Sequence, residues 1–112
     1  RKNIKKNIYI KTILINNPEI LIIQLKRINI NSKFRKVVKL KEYLDISIIS
    51  QKHDNYELFG IINHVGTIKG GHYFTTIKKY NRWFIFNDNN IQETSFKSLA
   101  NSYNYCLFYK RI

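Results

Sequence analysis

The sequence has 112 residues, is 44% hydrophobic and 24% charged, and carries a formal net charge of +13 with one cysteine. That is enough chain for one domain, burying roughly two-thirds of its unfolded surface. No apolar run reaches the roughly 18 residues of a membrane span, and a lone cysteine excludes an internal disulfide and a paired-cysteine zinc site.

The charge admits nucleic acid or another anion as a partner. The basic residues are scattered, however, from Arg1, Lys2, Lys5 and Lys6 to Lys26, Arg27, Lys33, Arg35, Lys36, Lys39 and Lys41. The abundance of Ile, Asn, Lys, Tyr and Phe is also what AT-rich codons alone produce. Residues 1–16 form a basic N-terminal segment ahead of a single partial domain spanning 1–112. That segment runs into IYIKTILI, too short and too interrupted by Lys for a secretory leader. Low cysteine usage points to a reducing interior, cytoplasm or nucleus. His53, His64 and His72 have no metal-ligand spacing, and nothing calls for a cofactor.

In chain order, NNPE reads as a turn, and Ile20–Ile28, β-branched and short, as a strand with a buried centre. A basic connection follows, with a brief turn near Leu40–Leu44. Tyr56–Asn63 is another strand, and HVGTIKGG a glycine-bearing loop. His72–Lys78 and Trp83–Asn87 form a hairpin around Lys79–Arg82. TSFKSLANS has a Thr/Ser start and puts Phe96, Leu99 and Ala100 on one side, a short helix pattern. YNYCLFYKRI closes the chain as a strand. The expectation is an α+β fold, mainly antiparallel sheet.

The hairpin makes a geometric prediction. With its turn between Lys79 and Asn81, His72 faces Asn87, Asp88 or Asn89 across the ribbon. Paired side chains sit roughly 5 Å apart at Cβ. An imidazole can then be held through one nitrogen with the other free, as a general base requires. Two polar residues at a solvated strand end would give the same spacing, and geometry alone leaves that alternative open.

The runs INHVGTIKGGHYFTTI, RWFIFNDNNI and YNYCLFYKRI resemble the C-terminal half of the ubiquitin-specific proteases. The matching positions are His64, Gly66, Gly71-His72-Tyr73, Trp83, Phe86-Asn87-Asp88, Tyr105 and Leu107-Phe108-Tyr109. Upstream, NPEILIIQLKRI is similar to the family's Leu-Lys-Arg-Phe box, departing at Asn17 and Ile28. KVVKLKEYLDIS is similar to the segment that follows, without the usual Phe-Pro at Leu40-Lys41.

The resemblance implies the His/Asn-bearing half of a papain-like deubiquitinase fold. His72 becomes the general base, Asn87 the group that orients it, and Asp88 the neighbouring acid. Gly70 and Gly71 would let a Gly-Gly substrate tail pass beside His72, with His64 and Tyr73 near that channel. Trp83 and Phe86 read as core. The implied partners are ubiquitin or a ubiquitinated protein and the missing N-terminal half of the domain. The implied nucleophile, a thiolate, lies in that half. Cys106, at an apolar position of the closing strand, reads as packing. A non-catalytic ubiquitin-binding remnant and a basic nucleic-acid- or anion-binding module are the alternatives. The half-domain reading also predicts an exposed apolar or mixed face, with Tyr73, Phe74 and Ile61–His64 as candidates.

Overall fold

The computed structural model describes residues 12–112 apart from 30, 31, 34 and 68, so most of the basic N-terminal segment lies outside the described residues. Nine strands follow one another: β1 Ile20–Gln24, β2 Ile28–Asn29, β3 Ser32–Lys33, β4 Tyr43–Asp45, β5 Asn55–Thr67, β6 Gly70–Lys79, β7 Arg82–Asn87, β8 Asn90–Thr94 and β9 Asn104–Arg111. All but β2 and β3 join one seven-stranded sheet in the order β1-β9-β5-β6-β7-β8, with β4 also on β5, and every ladder is antiparallel. The fold is therefore mainly antiparallel sheet, as expected.

The expected helix over TSFKSLANS is absent; only one 3-10 turn forms, Phe96–Ser98. Ser95 makes no side-chain cap bond, and β9 begins at Asn104, leaving no room for further helical turns that also reach it. Burial of Leu99 at 3% exposure satisfies the apolar pattern without further helical turns. The expected loop over HVGTIKGG is likewise mostly strand: β5 runs to Thr67 and β6 starts at Gly70. The first strand stops at Gln24 rather than Ile28. Strand β8, over the alternating NIQET, was not expected. Among the described residues no helix is long and apolar enough to cross a membrane.

Strand β5 is the spine. It pairs with β9 along one side and with β4, then β6, along the other. An extra residue at Phe59 breaks the β5–β9 register, so Leu58 sits opposite Tyr109 and Ile61 opposite Leu107. A bulge shifts the period-2 alternation by one. The core face therefore carries Tyr56 and Leu58 before it and Ile61 and Asn63 after it, all buried. Tyr56, Leu58, Ile61, Leu107, Tyr109 and Trp83 pack there with Leu40, Ile46 and Leu99.

The opposite face is much barer. Ile20, Ile22, Ile77 and Ile91 are exposed there, with Phe108, Ile62, Phe84 and Phe86 half-buried between them. An apolar face is thus exposed, but it lies opposite His72, and few of the residues expected to form it do so. Tyr73 belongs to it; Phe74 is half-buried, and Ile61, Asn63 and His64 are buried. Trp83 is core, as expected.

Candidate active site at the open end of the sheet

The β6–β7 hairpin is closed by Tyr80 and Asn81, both at positive φ (50° and 63°). Two such residues make the tight turn whose twist matches that of the strands it joins. The register runs from Lys79 opposite Arg82 to Thr75 opposite Phe86, where the ladder stops. Continued straight, it would bring His72 opposite Asn89. Instead Asp88, at φ 53°, turns the chain back into β8, and Asn87 pairs with Asn90. That early reversal leaves Asn87 as the nearest polar group to the imidazole.

The contact is direct: His72 Nε2 lies 2.6 Å from Asn87 Oδ1. Both side chains leave from the core face, being two residues along from Phe74 and Ile85 respectively. An amide oxygen can only accept, so Nε2 carries the proton and Nδ1 is left with its lone pair. The two nitrogens project from nearly opposite sides of the ring. Asp88 Oδ2 is 3.8 Å from Nε2, an ion-pair distance rather than a hydrogen bond, and its side chain is 79% exposed. The structure thus brings His72, Asn87 and Asp88 together, with Asn87 the closer partner.

His64 and Tyr73 lie on the other face. His64 is buried in strand β5, its ring 4.7 Å from that of Tyr73 and 6.3 Å from that of Tyr105. It packs directly over Gly71: a Cβ there would come within 2.4 Å of His64 Nε2 and 2.3 Å of the Val65 carbonyl. Gly66, at φ 129°, is constrained too, since a Cβ would meet Gly70 O and Gly71 Cα at 2.7 Å. A Cβ on Gly70 would meet nothing within 4 Å and would project into open space. The two glycines paired in the sequence therefore differ: Gly71 is required by packing, Gly70 is not.

Behind the site lies a polar network that sequence reading missed. Asn63 and Asn104 are each 1% exposed, and Asn104 Nδ2 donates to Asn63 Oδ1 (2.8 Å) and Leu99 O (3.0 Å). Asn63 Nδ2 donates to Thr76 Oγ1 (3.1 Å) and Phe74 O (3.4 Å), while the Asn101 amide donates to Asn104 Oδ1. Its signal in the sequence was only that Asn63 and Asn104 sit inside apolar strands. A cavity of about 310 Å³, lined by Arg35, Val65, Gly66, Ser102 and Tyr103, also escaped notice.

Cys106 pairs with Ile62 in β5 and points to the face opposite His72. It is about 14 Å from His72 by strand spacing and rise. Partial burial pushes its thiol above the ordinary range, away from the reactive thiolate. No group of three or more His, Cys, Asp or Glu suited to a metal occurs among the described residues.

The sheet thus ends in a paired histidine and asparagine, His72 and Asn87. The family model for ubiquitin carboxyl-terminal hydrolases matches residues 2–109, and the chain belongs to that family. It is similar to ubiquitin carboxyl-terminal hydrolase 8 of Arabidopsis thaliana, at 38% identity over 108 residues, covering 85% of this chain and 12% of that protein. Ubiquitin carboxyl-terminal hydrolase 12 of Saccharomyces cerevisiae is 34% identical over 108 residues, with 86% and 9% covered. Among solved structures, the Ubp8-Sgf11-Sgf73-Sus1 SAGA DUB module superposes with a TM-score of 0.79 at 31% identity, over 88% of this chain and 25% of that one. The SAGA Ubp8/Sgf11/Sus1/Sgf73 DUB module bound to ubiquitin aldehyde gives 0.76 at 28%, with 85% and 25% covered. The chain thus spans a small part of the length of each relative.

Proposed function

We propose that residues 1–112 are the C-terminal, base-bearing part of a cysteine deubiquitinase domain that hydrolyses isopeptide or peptide bonds at the C-terminus of ubiquitin. The observation that carries this reading is the 2.6 Å contact between His72 Nε2 and Asn87 Oδ1. In the proposed mechanism Asn87 fixes the ring angle and tautomer. Nδ1 takes the thiol proton of a cysteine supplied by the part of the domain outside these residues. The thiolate attacks the carbonyl and forms a thioester as the C–N bond breaks, the imidazolium gives its proton to the leaving amine, and water deprotonated by the same imidazole then hydrolyses the thioester and frees the thiol. Asp88 adds negative charge near the imidazolium without competing for its hydrogen bond.

Gly70, with open space on the face of His72, offers the substrate tail a passage, and Tyr73 supports the strand from the opposite face. His64 shapes that passage from beneath through Gly71. Ubiquitin, or a protein bearing it, is the substrate. The site would act inside the cell, in cytoplasm or nucleus.

The test is release of a fluorophore from the C-terminus of ubiquitin by the full-length protein. His72→Ala should abolish turnover and Cys106→Ala should retain it, whereas residues 1–112 alone should release none, since loss of a triad nucleophile costs on the order of 10⁶ in rate. Turnover by 1–112 that disappears with Cys106→Ala would overturn the assignment. Tight ubiquitin binding by a full-length protein with no turnover would favour the non-catalytic remnant.

A further inference from the structure

The cavity lined by Arg35, Val65, Gly66, Ser102 and Tyr103 adjoins the site through Val65. Val65 is the cross-strand partner of His72, so its side chain stands beside the imidazole on the same face. Tyr103, 42% exposed, packs edge-on against Phe74, two residues from His72, with ring centroids 6.4 Å apart. The backbone of Tyr103 is pinned, since its carbonyl accepts from the His64 amide at 2.8 Å. One wall of the cavity is thus fixed to the strands that carry the base.

The chemistry of the lining is one-sided. Arg35 is exposed and, among the described residues, donates to the Gly66 carbonyl alone, at 3.4 Å. Among the described residues no carboxylate lies within ion-pair range of Arg35. The basic residues Lys78 and Arg82, by contrast, each have a glutamate partner. A guanidinium presents five donors in a planar fork suited to a carboxylate, and the hydroxyls of Ser102 and Tyr103 can donate as well. The cavity therefore offers a guanidinium and two hydroxyl donors, and its lining includes no carboxylate. The chain's charge of +13 raises the local concentration of acidic ligands in the same sense.

We propose that Arg35, with Ser102 and Tyr103, is a carboxylate-recognition subsite that selects an acidic side chain flanking the linked lysine of the substrate. This rests on the deubiquitinase reading. Ubiquitin is common to every substrate of such an enzyme, so a charge preference discriminates only through the variable, target side of the scissile bond. The free C-terminal carboxylate of the hydrolysed product offers the same chemistry and is separated from the flanking residue by the test.

The experiment uses the full-length protein and three ubiquitin-isopeptide-linked peptides that differ only beside the linked lysine: Asp, Asn or Lys. The readout is the ratio of kcat/KM between them, which cancels any general effect of a variant on activity. The native protein should prefer Asp over Lys by about fivefold, the upper end for a solvent-exposed ion pair. Arg35→Ala should bring the ratio close to one, and Arg35→Glu should invert it. Equal rates across the native series, or a ratio unmoved by Arg35→Glu, overturn the proposal, including when free ubiquitin inhibits in an Arg35-dependent way, because the carboxylate bound is then the product's. Absence of fluorophore release from ubiquitin by the native protein would instead refute the deubiquitinase reading itself, and the subsite with it.

Discussion

Substituting the two adjacent glycines one at a time separates packing from passage. A Cβ on Gly71 would sit 2.3 Å from the Val65 carbonyl oxygen and 2.4 Å from His64 Nε2, about 1 Å inside ordinary contact on both sides. Neither neighbour yields easily. The carbonyl belongs to the β5 backbone, and the His64 ring is buried against Tyr73 and Tyr105. Gly71→Ala must therefore push β6 away from β5 at the residue before His72. Overpacking of this kind costs about 1–3 kcal/mol. A displacement of about 1 Å at a catalytic group costs on the order of 10²-fold in rate. Gly70→Ala meets nothing within 4 Å and should leave stability within about 0.5 kcal/mol. Its effect, if the tail passes there, should fall on KM. The assays are chemical denaturation and fluorophore release from ubiquitin by the full-length protein. Gly71→Ala as stable and as active as the native chain would refute the packing argument. Gly70→Ala with the larger loss of stability would refute it as well.

Asn87→Ala should lower kcat by about 10²-fold with little change in KM, because it removes orientation rather than binding. Asn87→Asp, which keeps an acceptor for Nε2, should retain more activity, and kcat measured for both variants checks this. Lys78→Met should destabilise the fold by about 2–3 kcal/mol, since the 8%-exposed ammonium holds Glu57 at 2.8 Å and Glu42 at 3.5 Å. The Lys78 hydrogen bond keeps the Glu57 carboxyl below the usual range. Its stabilisation is therefore present above the ordinary glutamate pKa and lost as pH falls through the lowered one. At the alkaline end, burial opposes the charge on Lys78, but the Glu57 and Glu42 carboxylates outweigh it and raise its pKa. That contribution holds below the ordinary lysine pKa and fades above it, so denaturation midpoints against pH should lose both limbs in the variant. Residues 1–112 alone should bind an apolar dye through the Ile20, Ile22, Ile77 and Ile91 face, and Ile22→Lys should reduce that signal; dye binding unchanged by the substitution would place the apolar surface elsewhere.

Local patterns in the sequence were sufficient for the hairpin. Its ends were legible because a short turn and period-2 alternation fix the register, and that register narrows the partner of His72 to Asn87, Asp88 or Asn89. Which of Asn87, Asp88 and Asn89 makes the contact was not legible, since it depends on the reversal at Asp88 into the unexpected strand β8. The helix expected at TSFKSLANS failed because its apolar spacing could be satisfied by one turn and a buried Leu99. The expected loop through His64 failed for a different reason. Turn residues were read as irregular backbone, whereas Gly66 and Gly71 serve a close β5–β6 approach within the ladder. Long-range polar pairs such as Asn63 with Asn104 leave no local periodicity and were invisible.

The same network bears on how a base can be held at a strand end. Beyond Thr75, β6 has lost β7, and His72 is carried by its pairing to β5 alone. A strand held along one edge frays readily, yet the general base proposed at His72 would tolerate little displacement. Two features oppose fraying here. The glycines at 66 and 71 let β5 and β6 approach without side chains between them. Asn63 then bonds Thr76 and the Phe74 carbonyl on β6, while Asn104 ties Asn63 to β9 and to the turn at Leu99. Both amide groups of Asn104 and Asn63 find partners, so the pair avoids the cost of buried unsatisfied atoms. Its bonds run across the strands rather than along them, supplying on the β5–β9 side the lateral restraint that β7 withdraws. The loss of the β7 ladder at Thr75 leaves room beside His72 for Asn87 to reach Nε2, and the buried asparagines keep that opening from loosening the strand that carries His72.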